Sequence, residues 1–183
     1  VLGAVVDLRR AAPAWGDGMW GLLQITMQFS ISVFAAYACV MSRPGFWMFD
    51  RLARIPNPEK PVQAVLLLAV TTTVTGLLNW ALCFVVSALL IPFVARRNPK
   101  TDIRVLCAAA FMGVGTVTNA ALSGSAALIM ATPDNPMVKP AAGNPIVDRL
   151  YPVTETVFAH YNLMLLALLS VVSIAAICAL HPR

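Results

Sequence analysis

Two groups of polar residues interrupt long apolar stretches of this chain, and they are the best candidates for chemistry. The first is Asn79, which is followed by Trp80 in the middle of a 34-residue run without Asp, Glu, Lys or Arg. The second group lies in another uncharged run and consists of Thr118, Asn119, Ser123, Gly124 and Ser125. Amides and hydroxyls both donate and accept hydrogen bonds, so either group could bind a carboxylate or coordinate a cation.

Both groups also have a structural interpretation, and the sequence leaves it open. Asn79 could cap a helix or form a hydrogen bond between helices. The second group could provide small residues for close helix packing. The chain has no HExxH, no GxSxG, no phosphate-binding glycine-rich loop and no pair of intramembrane aspartates. We therefore predict that the chain is not an enzyme.

Some of the other polar residues in the apolar runs are further candidates. Gln24 and Gln28 are four residues apart on one helix face and can face the protein interior together, so Gln28 is a further candidate for substrate contact. The membrane runs contain no acid, and His160 is the candidate there for relaying a proton. We expect no cofactor. If binding is coupled to an ion, the absence of acids from these runs slightly favours Na⁺, held by carbonyl and hydroxyl oxygens, over H⁺.

The composition places the chain among membrane proteins. Hydrophobic residues make up 59% and charged residues 11% of the sequence, whereas soluble domains carry roughly 25% charged residues. The net charge of +5 does not indicate nucleic-acid binding, because the basic residues flank apolar runs and do not cluster with aromatic residues. The four cysteines lie in apolar runs without CxxC spacing, and no metal ligands can be assigned. The predicted partner is therefore the lipid bilayer.

The elements that must position the polar groups follow from four uncharged runs. We predict an all-α polytopic membrane protein with one transmembrane domain over residues 1–183. Its elements are a helix at 18–42, a re-entrant hairpin at 62–95, a broken helix at 103–133 and a helix at 156–181.

Basic residues orient these elements. The segments 42–61 and 96–104 together hold eight Lys and Arg, whereas 1–17 and 134–155 together hold four. Because cytoplasmic loops collect basic residues, both middle segments are predicted to face the cytoplasm. The run between them must then return to the side on which it starts.

This middle run, from Val62 to Ala95, has an unusual length. As one helix it would extend ~51 Å at ~1.5 Å per residue, against a hydrocarbon core of ~30 Å. Two full crossings need ~20 residues each, and a turn leaves at most ~16 per helix. We therefore predict that the hairpin enters the membrane part way and turns near Gly76 to Trp80. Irregular backbone at that depth persists only when it is buried in protein or lines a wet cavity.

The run from Val105 to Pro133 is predicted to be broken. Its 29 residues would form ~43 Å of helix, which exceeds one crossing. Small and polar residues are densest from Asn119 to Ser125, which favours an unwound break there. The N–H groups at the start of the second half-helix, together with its dipole, could hold a carboxylate.

Motifs at these positions resemble those of the short-chain fatty acid transporter family. They include the segment Trp15 to Leu23, the pair Asn79-Trp80, and Leu122-Ser123-Gly124-Ser125 followed by Ala131 to Pro136. Order and spacing agree over nearly the whole chain, which corresponds to about the N-terminal half of a full-length member.

The resemblance implies an ion-transporter-like repeat in a multi-pass protein of the bacterial inner (cytoplasmic) membrane. A second, inverted hairpin and broken helix would lie in a C-terminal repeat that is missing here, and two copies could form a homodimer. Small monocarboxylates are the implied substrates. The chain departs from the family pattern at Ala81, where glycine is common, and at Thr118 to Ala121, where members often have a glycine-rich or tryptophan-containing stretch.

Taken together, the residues and the resemblance predict a secondary transporter of short-chain fatty acids or similar small carboxylates. The alternative is a channel-like or non-transporting membrane subunit. The predicted substrate-binding residues are Gln28, Asn79, Trp80, Thr118, Asn119, Ser123, Gly124 and Ser125.

Overall fold

The computed structural model describes residues 8–133 and 149–181, and every regular element in these ranges is helical. The elements are α1 (Leu8–Met41), α2 (Arg43–Leu52), α3 (Pro61–Leu78), α4 (Trp80–Arg97), α5 (Ile103–Met112), a π-helical turn (Gly113–Val117), a 3₁₀ turn (Thr118–Ala120), α6 (Ser125–Ala131) and α7 (His160–Ala179). Four helical segments in the described ranges are long and apolar enough to cross a membrane, namely Pro61–Leu78, Trp80–Arg97, Ile103–Ala120 and His160–Ala179. The prediction of an all-α polytopic membrane protein is confirmed.

Helix α1 (Leu8–Met41) already includes the ten residues that precede the start expected from the uncharged run. A helix can continue into charged residues outside the lipid, so a charge boundary does not mark its start. The helix ends at a corner where Ser42 caps α2 by accepting a hydrogen bond from the Gly45 N–H. A side chain at position 45 would lie 2.4 Å from the Val40 carbonyl oxygen, so only glycine allows this corner.

Helices α3 and α4 form a hairpin with a single residue, Asn79, between them. Each helix has 18 residues, which gives ~27 Å at ~1.5 Å per residue. Both helices are longer than the ~16 residues expected at most for each. The reason is that the turn uses only one residue and that Pro61, Arg96 and Arg97 belong to the helices. Both helices therefore approach the thickness of a hydrocarbon core of ~30 Å, and the re-entrant path of the hairpin stays a prediction.

Helix α3 lies at the centre of the fold and packs against α4, α5, the π-helical turn and α7. Its approach to the π-helical turn is close, because a Cβ at Gly113 would lie 2.0 Å from the Thr72 carbonyl oxygen. The Thr72 hydroxyl also donates a hydrogen bond to the Ala109 carbonyl over 3.2 Å. Small residues that allow backbones to touch are the usual means of helix association in membranes.

The two basic segments meet at one end of the molecule. Arg97 pairs with Asp50, and Lys100 pairs with Glu59. The hydrogen bonds from Arg97 and then from Arg54 hold the pKa of the Asp50 carboxyl below its ordinary value of 3.8. The hairpin therefore starts and ends at the same end of the fold, as the charge pattern predicts.

Helix α7 begins at His160, after a series of hydrogen-bonded turns at 153–158. It starts four residues later than the expected 156–181 helix, because the chain first makes bonds such as Glu155 N–H to the Pro152 carbonyl. Most of the loop expected from Asp134 to Glu155 lies outside the described residues.

Candidate functional site

Asn79 lies between two helices and forms hydrogen bonds with backbone groups of both. Its own N–H donates to the Thr75 carbonyl, and its side-chain Oδ1 accepts from the N–H groups of Ala81 (2.9 Å) and Leu82 (3.1 Å). Its backbone is extended, with φ −157° and ψ 132°. Asn79 is thus the N-cap of α4, which is one of the two roles that the sequence leaves open. No described group accepts a hydrogen bond from its Nδ2.

The second interruption is longer and less regular. After α5 the chain passes through the π-helical and 3₁₀ turns, becomes extended at Ala121 with φ −94° and ψ −168°, and re-enters a helix at Ser125. Gly124 makes the re-entry possible, because a Cβ there would lie 2.2 Å from the Asn119 carbonyl oxygen. Its φ of −64° is open to any residue, so glycine is required by space and not by backbone conformation.

The two interruptions lie side by side and are joined by two hydrogen bonds. The Trp80 N–H donates to the Ser123 Oγ over 2.9 Å, and the Leu122 N–H donates to the Leu77 carbonyl over 3.3 Å. The first bond also satisfies the last free N–H of the α4 first turn. Residues 43 apart in sequence are therefore held together at the point where both helices stop.

A third element is attached to the same place. Asn162, near the start of α7, donates from Nδ2 to the Ala120 carbonyl and to the Val157 carbonyl, each over 2.8 Å. The side chain is buried. Both amide hydrogens are used, so Asn162 links the broken helix to the turn before α7.

A cavity of about 250 Å³ lies between the interruptions and α1. It is lined by Phe29, Trp80, Phe84, Val114, Thr118, Asn119 and Ser123. The structure thus brings together four of the predicted site residues, namely Trp80, Thr118, Asn119 and Ser123. Polar groups from the broken helix face aromatic rings from α1 and α4.

The polar groups of the cavity differ in what they can still donate. The Thr118 hydroxyl donates to the Val114 carbonyl over 2.8 Å, so its oxygen is left as an acceptor. The Ser123 oxygen accepts from the Trp80 N–H, which leaves the hydroxyl hydrogen available. The exposed Asn119 amide has no hydrogen-bond partner within the described ranges. Ser123 and Asn119 are therefore the side chains of the broken helix that can still donate into the cavity.

Aromatic rings form the opposite wall. The rings of Phe29 and Trp80 meet edge to face with centroids 4.7 Å apart, and those of Trp80 and Phe84 are 6.1 Å apart. The same three residues also line a wider apolar groove of about 710 Å³ between α1 and α4. The three rings thus separate the small cavity from the groove.

The remaining predicted residues lie outside this cavity. Asn79 is exposed at the junction, and Gly124 forms the turn into α6. Gln28 is exposed on α1, next to the cavity residue Phe29. Ser125 starts α6, and its side chain is outside the described part of the structure. Their substrate roles stay predictions.

Four residues of this region were not singled out from the sequence. Phe29, Phe84 and Val114 line the cavity, and Asn162 attaches α7 to the broken helix. An amide inside an apolar run is the signal that identified Asn79, and it applies equally to Asn162. The two phenylalanines carried no signal, because aromatic residues are common on every face of an apolar helix.

The fold defines the class of the protein as a helical membrane protein, with a small cavity beside two interrupted helices. Comparison with known families gives a match to the model of the short chain fatty acid transporter over residues 6–183. The chain therefore belongs to the short chain fatty acid transporter family, which is a family of transporters and not of enzymes.

Two curated relatives support this assignment. A protein of Escherichia coli (strain K12), provisionally named a short-chain fatty acid transporter, is 35% identical over 158 residues, which cover 86% of this chain and 34% of the relative. A Haemophilus influenzae protein (strain ATCC 51907 / DSM 11121 / KW20 / Rd) with the same provisional name is 30% identical over 151 residues, or 82% of this chain and 33% of the relative. No solved structure matches the chain.

The chain spans about one third of the length of these relatives. The motifs predicted that the chain corresponds to about half of a family member. The part of the relatives that lies outside the match is therefore larger than predicted.

Proposed function

We propose that this chain forms part of a secondary transporter that moves short-chain fatty acids, or similar small monocarboxylates, across the bacterial cytoplasmic membrane. The observation that carries the proposal is the contact between the two helix interruptions, Trp80 N–H to Ser123 Oγ, beside a cavity of about 250 Å³. Transporters place substrate sites at interrupted helices near the membrane midplane. Membership of the transporter family supports the same class of function.

A short-chain carboxylate has two parts, and the cavity has a surface suited to each. The carboxylate would accept hydrogen bonds from the Ser123 hydroxyl and the Asn119 amide. A hydrogen bond to a charged group contributes about 1.5–3 kcal/mol. The acyl chain would lie against the rings of Phe29, Trp80 and Phe84.

The start of α6 adds little to this site. The helix has seven residues, so its aligned peptide dipoles are few and its field is weak compared with that of a full-length helix. The proposal therefore depends on side-chain donors more than on the half-helix dipole that the sequence suggested.

The rest of the binding site would come from outside this chain. The matched relatives are about three times as long as the matched region, and a second hairpin and broken helix in the remaining sequence would complete the site as an inverted repeat. The end of the molecule with the Asp50–Arg97 and Glu59–Lys100 pairs would face the cytoplasm, in keeping with its basic charge. The homodimer of the full-length protein stays a prediction.

The direct test is uptake of labelled butyrate by the full-length protein in liposomes. Replacing Ser123 by alanine should raise KM roughly tenfold or more, since it removes one hydrogen bond to the carboxylate. Ser123→Thr keeps the hydroxyl and should restore most of the affinity. The matched control is Ser170→Ala, because the Ser170 hydroxyl donates to the Leu166 carbonyl of its own helix and has no other partner among the described residues.

An unchanged KM in Ser123→Ala would remove this residue from the site. Thermal unfolding of each purified variant separates a binding defect from a folding defect, because Ser123 also accepts the Trp80 N–H.

A second arm tests the aromatic wall. Trp80→Ala should let longer carboxylates such as hexanoate compete better, by about fourfold for each additional buried methylene. The control is Phe111→Ala. The ring centroids of Phe111 and Phe84 are 6.3 Å apart, but Phe111 does not line the cavity. An unaltered chain-length preference in Trp80→Ala would place the acyl chain elsewhere.

The same liposomes distinguish the coupling ion and the alternative functions. We expect saturable uptake that follows an imposed Na⁺ gradient, with an H⁺ gradient as the second case to examine. Flux without saturation or coupling would indicate a channel-like subunit, and no flux in the full-length protein would indicate a non-transporting one.

A further inference from the structure

A second cavity lies far from the helix interruptions, at the basic end of the fold. Helix α2 is fixed across this end by its aromatic residues. Phe49 is buried with its ring centroid 5.8 Å from that of Phe93, and Phe46 approaches the same ring at 4.9 Å. Because Phe93 is close to the end of α4, α2 lies where the hairpin helices emerge from the apolar part of the molecule.

The outer side of α2 and the residues after it form a cavity of about 380 Å³. It is lined by Trp47, Asp50, Arg51, Arg54 and Ile55. The single carboxylate, Asp50, already pairs with both Arg54 and Arg97. Arg51 has no acidic partner among the described residues, and its guanidinium lies 5.4 Å from the centre of the Trp47 ring. The cavity therefore has an excess of positive charge.

Exposed apolar groups stand directly beside this charge. Trp47 is 63% exposed and Ile55 is 66% exposed, on a segment that connects α1 with the membrane-spanning candidate α3. Such residues are expected where a helix borders the headgroup region, since tryptophan and snorkelling arginine prefer that level of the bilayer. A ligand that fills the cavity and covers these side chains needs an anionic group next to an apolar group.

We propose that this cavity binds the headgroup phosphate of an anionic phospholipid, with Arg51 as its principal contact. A guanidinium can bind phosphate through two parallel N–H donors, and basic pockets beside transmembrane helices are suited to anionic headgroups. The acyl chains of the lipid would cover Trp47 and Ile55. A free phosphate ion would use the charge but leave both apolar side chains in water.

The proposal is tested by titrating the purified full-length protein in mixed micelles with phosphatidylglycerol and measuring bound lipid by native mass spectrometry. Arg51→Gln should raise the lipid dissociation constant about fivefold, the effect of one basic residue at a membrane surface. The substitution leaves the Asp50 pairs in place. Arg51→Lys keeps the charge and should weaken binding less.

The matched control is Arg43→Gln, because Arg43 is exposed on the same helix but does not line the cavity. Equal loss in both variants, or no loss in Arg51→Gln, would overturn the proposal. So would binding of phosphatidylcholine as tight as that of phosphatidylglycerol. Displacement of the lipid by millimolar inorganic phosphate would indicate a free-anion site instead. The measurement requires no transport, so its outcome is independent of the proposed function.

Discussion

The two helix interruptions of this protein differ in how completely their backbone N–H groups are hydrogen-bonded. At Asn79 the chain changes direction within one residue, and the N–H groups of Asn79, Trp80, Ala81 and Leu82 all have acceptors. At the broken helix the chain runs through a π-helical turn, a 3₁₀ turn and an extended stretch before it re-enters a helix. There the N–H groups of Ala126 and Ala127 have no partner among the described residues.

The difference separates a structural junction from the region where we propose that substrate binds. Backbone groups without hydrogen bonds are costly in lipid. At the hairpin junction, Asn79 and Ser123 accept hydrogen bonds from the first N–H groups of α4. The broken helix instead leaves the Ser123 hydroxyl and the Asn119 amide facing a cavity. A polar residue in the middle of an apolar run can thus be a helix cap or a candidate for binding, and its hydrogen bonds distinguish the two.

The largest effect is expected from a substitution that disturbs the turn between the broken helix and α6. Gly124→Ala would place a Cβ 2.2 Å from the Asn119 carbonyl, so the turn must shift, and overpacking of this kind costs about 3 kcal/mol. We expect a lower unfolding temperature and loss of butyrate uptake in the full-length protein. Gly115→Ala is the control, since its nearest contact would be an ordinary 3.7 Å to the Phe111 ring.

Normal stability and uptake in Gly124→Ala would show that the turn is not held tightly and would weaken the contrast between the two interruptions. Equal defects in Gly124→Ala and Gly115→Ala would point to general sensitivity of this region.

A smaller effect is expected from detaching α7. Asn162→Ala removes the donor to both the Ala120 and the Val157 carbonyls. The loss should be about 1–2 kcal/mol, at the level of interhelical hydrogen bonds in membranes. Thermal unfolding measures it, with Ser170→Ala on the same helix as the reference. If Asn162→Ala is as stable as that reference, the broken helix does not depend on α7.

The smallest effect is expected at the closed junction, and it separates two roles of Asn79. Asn79→Ala removes the cap of α4 and should destabilise the protein by about 1 kcal/mol. Asn79→Asp keeps the capping oxygen and should be as stable as the natural protein. If Asn79→Asp is stable but has lost uptake, a carboxylate at this position repels the substrate, and Asn79 belongs to the site after all.

Much of the helical architecture follows from the sequence because lipid imposes simple length rules. The 34-residue run with Asn79 in its middle predicted a hairpin, and the structure has two helices joined at that residue. The density of small and polar residues near Ser123 predicted an interruption, which the structure has from Ala121 to Gly124. The helix bounds were less predictable, since α1, α3 and α4 all extend into flanking charged residues or proline.

The site was less accessible to sequence reasoning than the helices. Thr118, Asn119 and Ser123 stand out because they are polar within an apolar run. Phe29 and Phe84 do not, since their place in the cavity depends on how α1 packs against α4. Residues far apart in sequence become neighbours only through such packing.

The sequence by itself determined that this is a helical membrane protein, where its helices are interrupted, and which ends carry the basic residues. These properties follow from local composition, because the bilayer selects apolar length and excludes charge. Only the tertiary structure decided that the two interruptions touch, that the Asn79 oxygen is used as a cap, and that Ser123 is shared between a backbone N–H and the cavity. Hydrogen-bond partners distant in sequence are chosen by packing, and no local pattern specifies them.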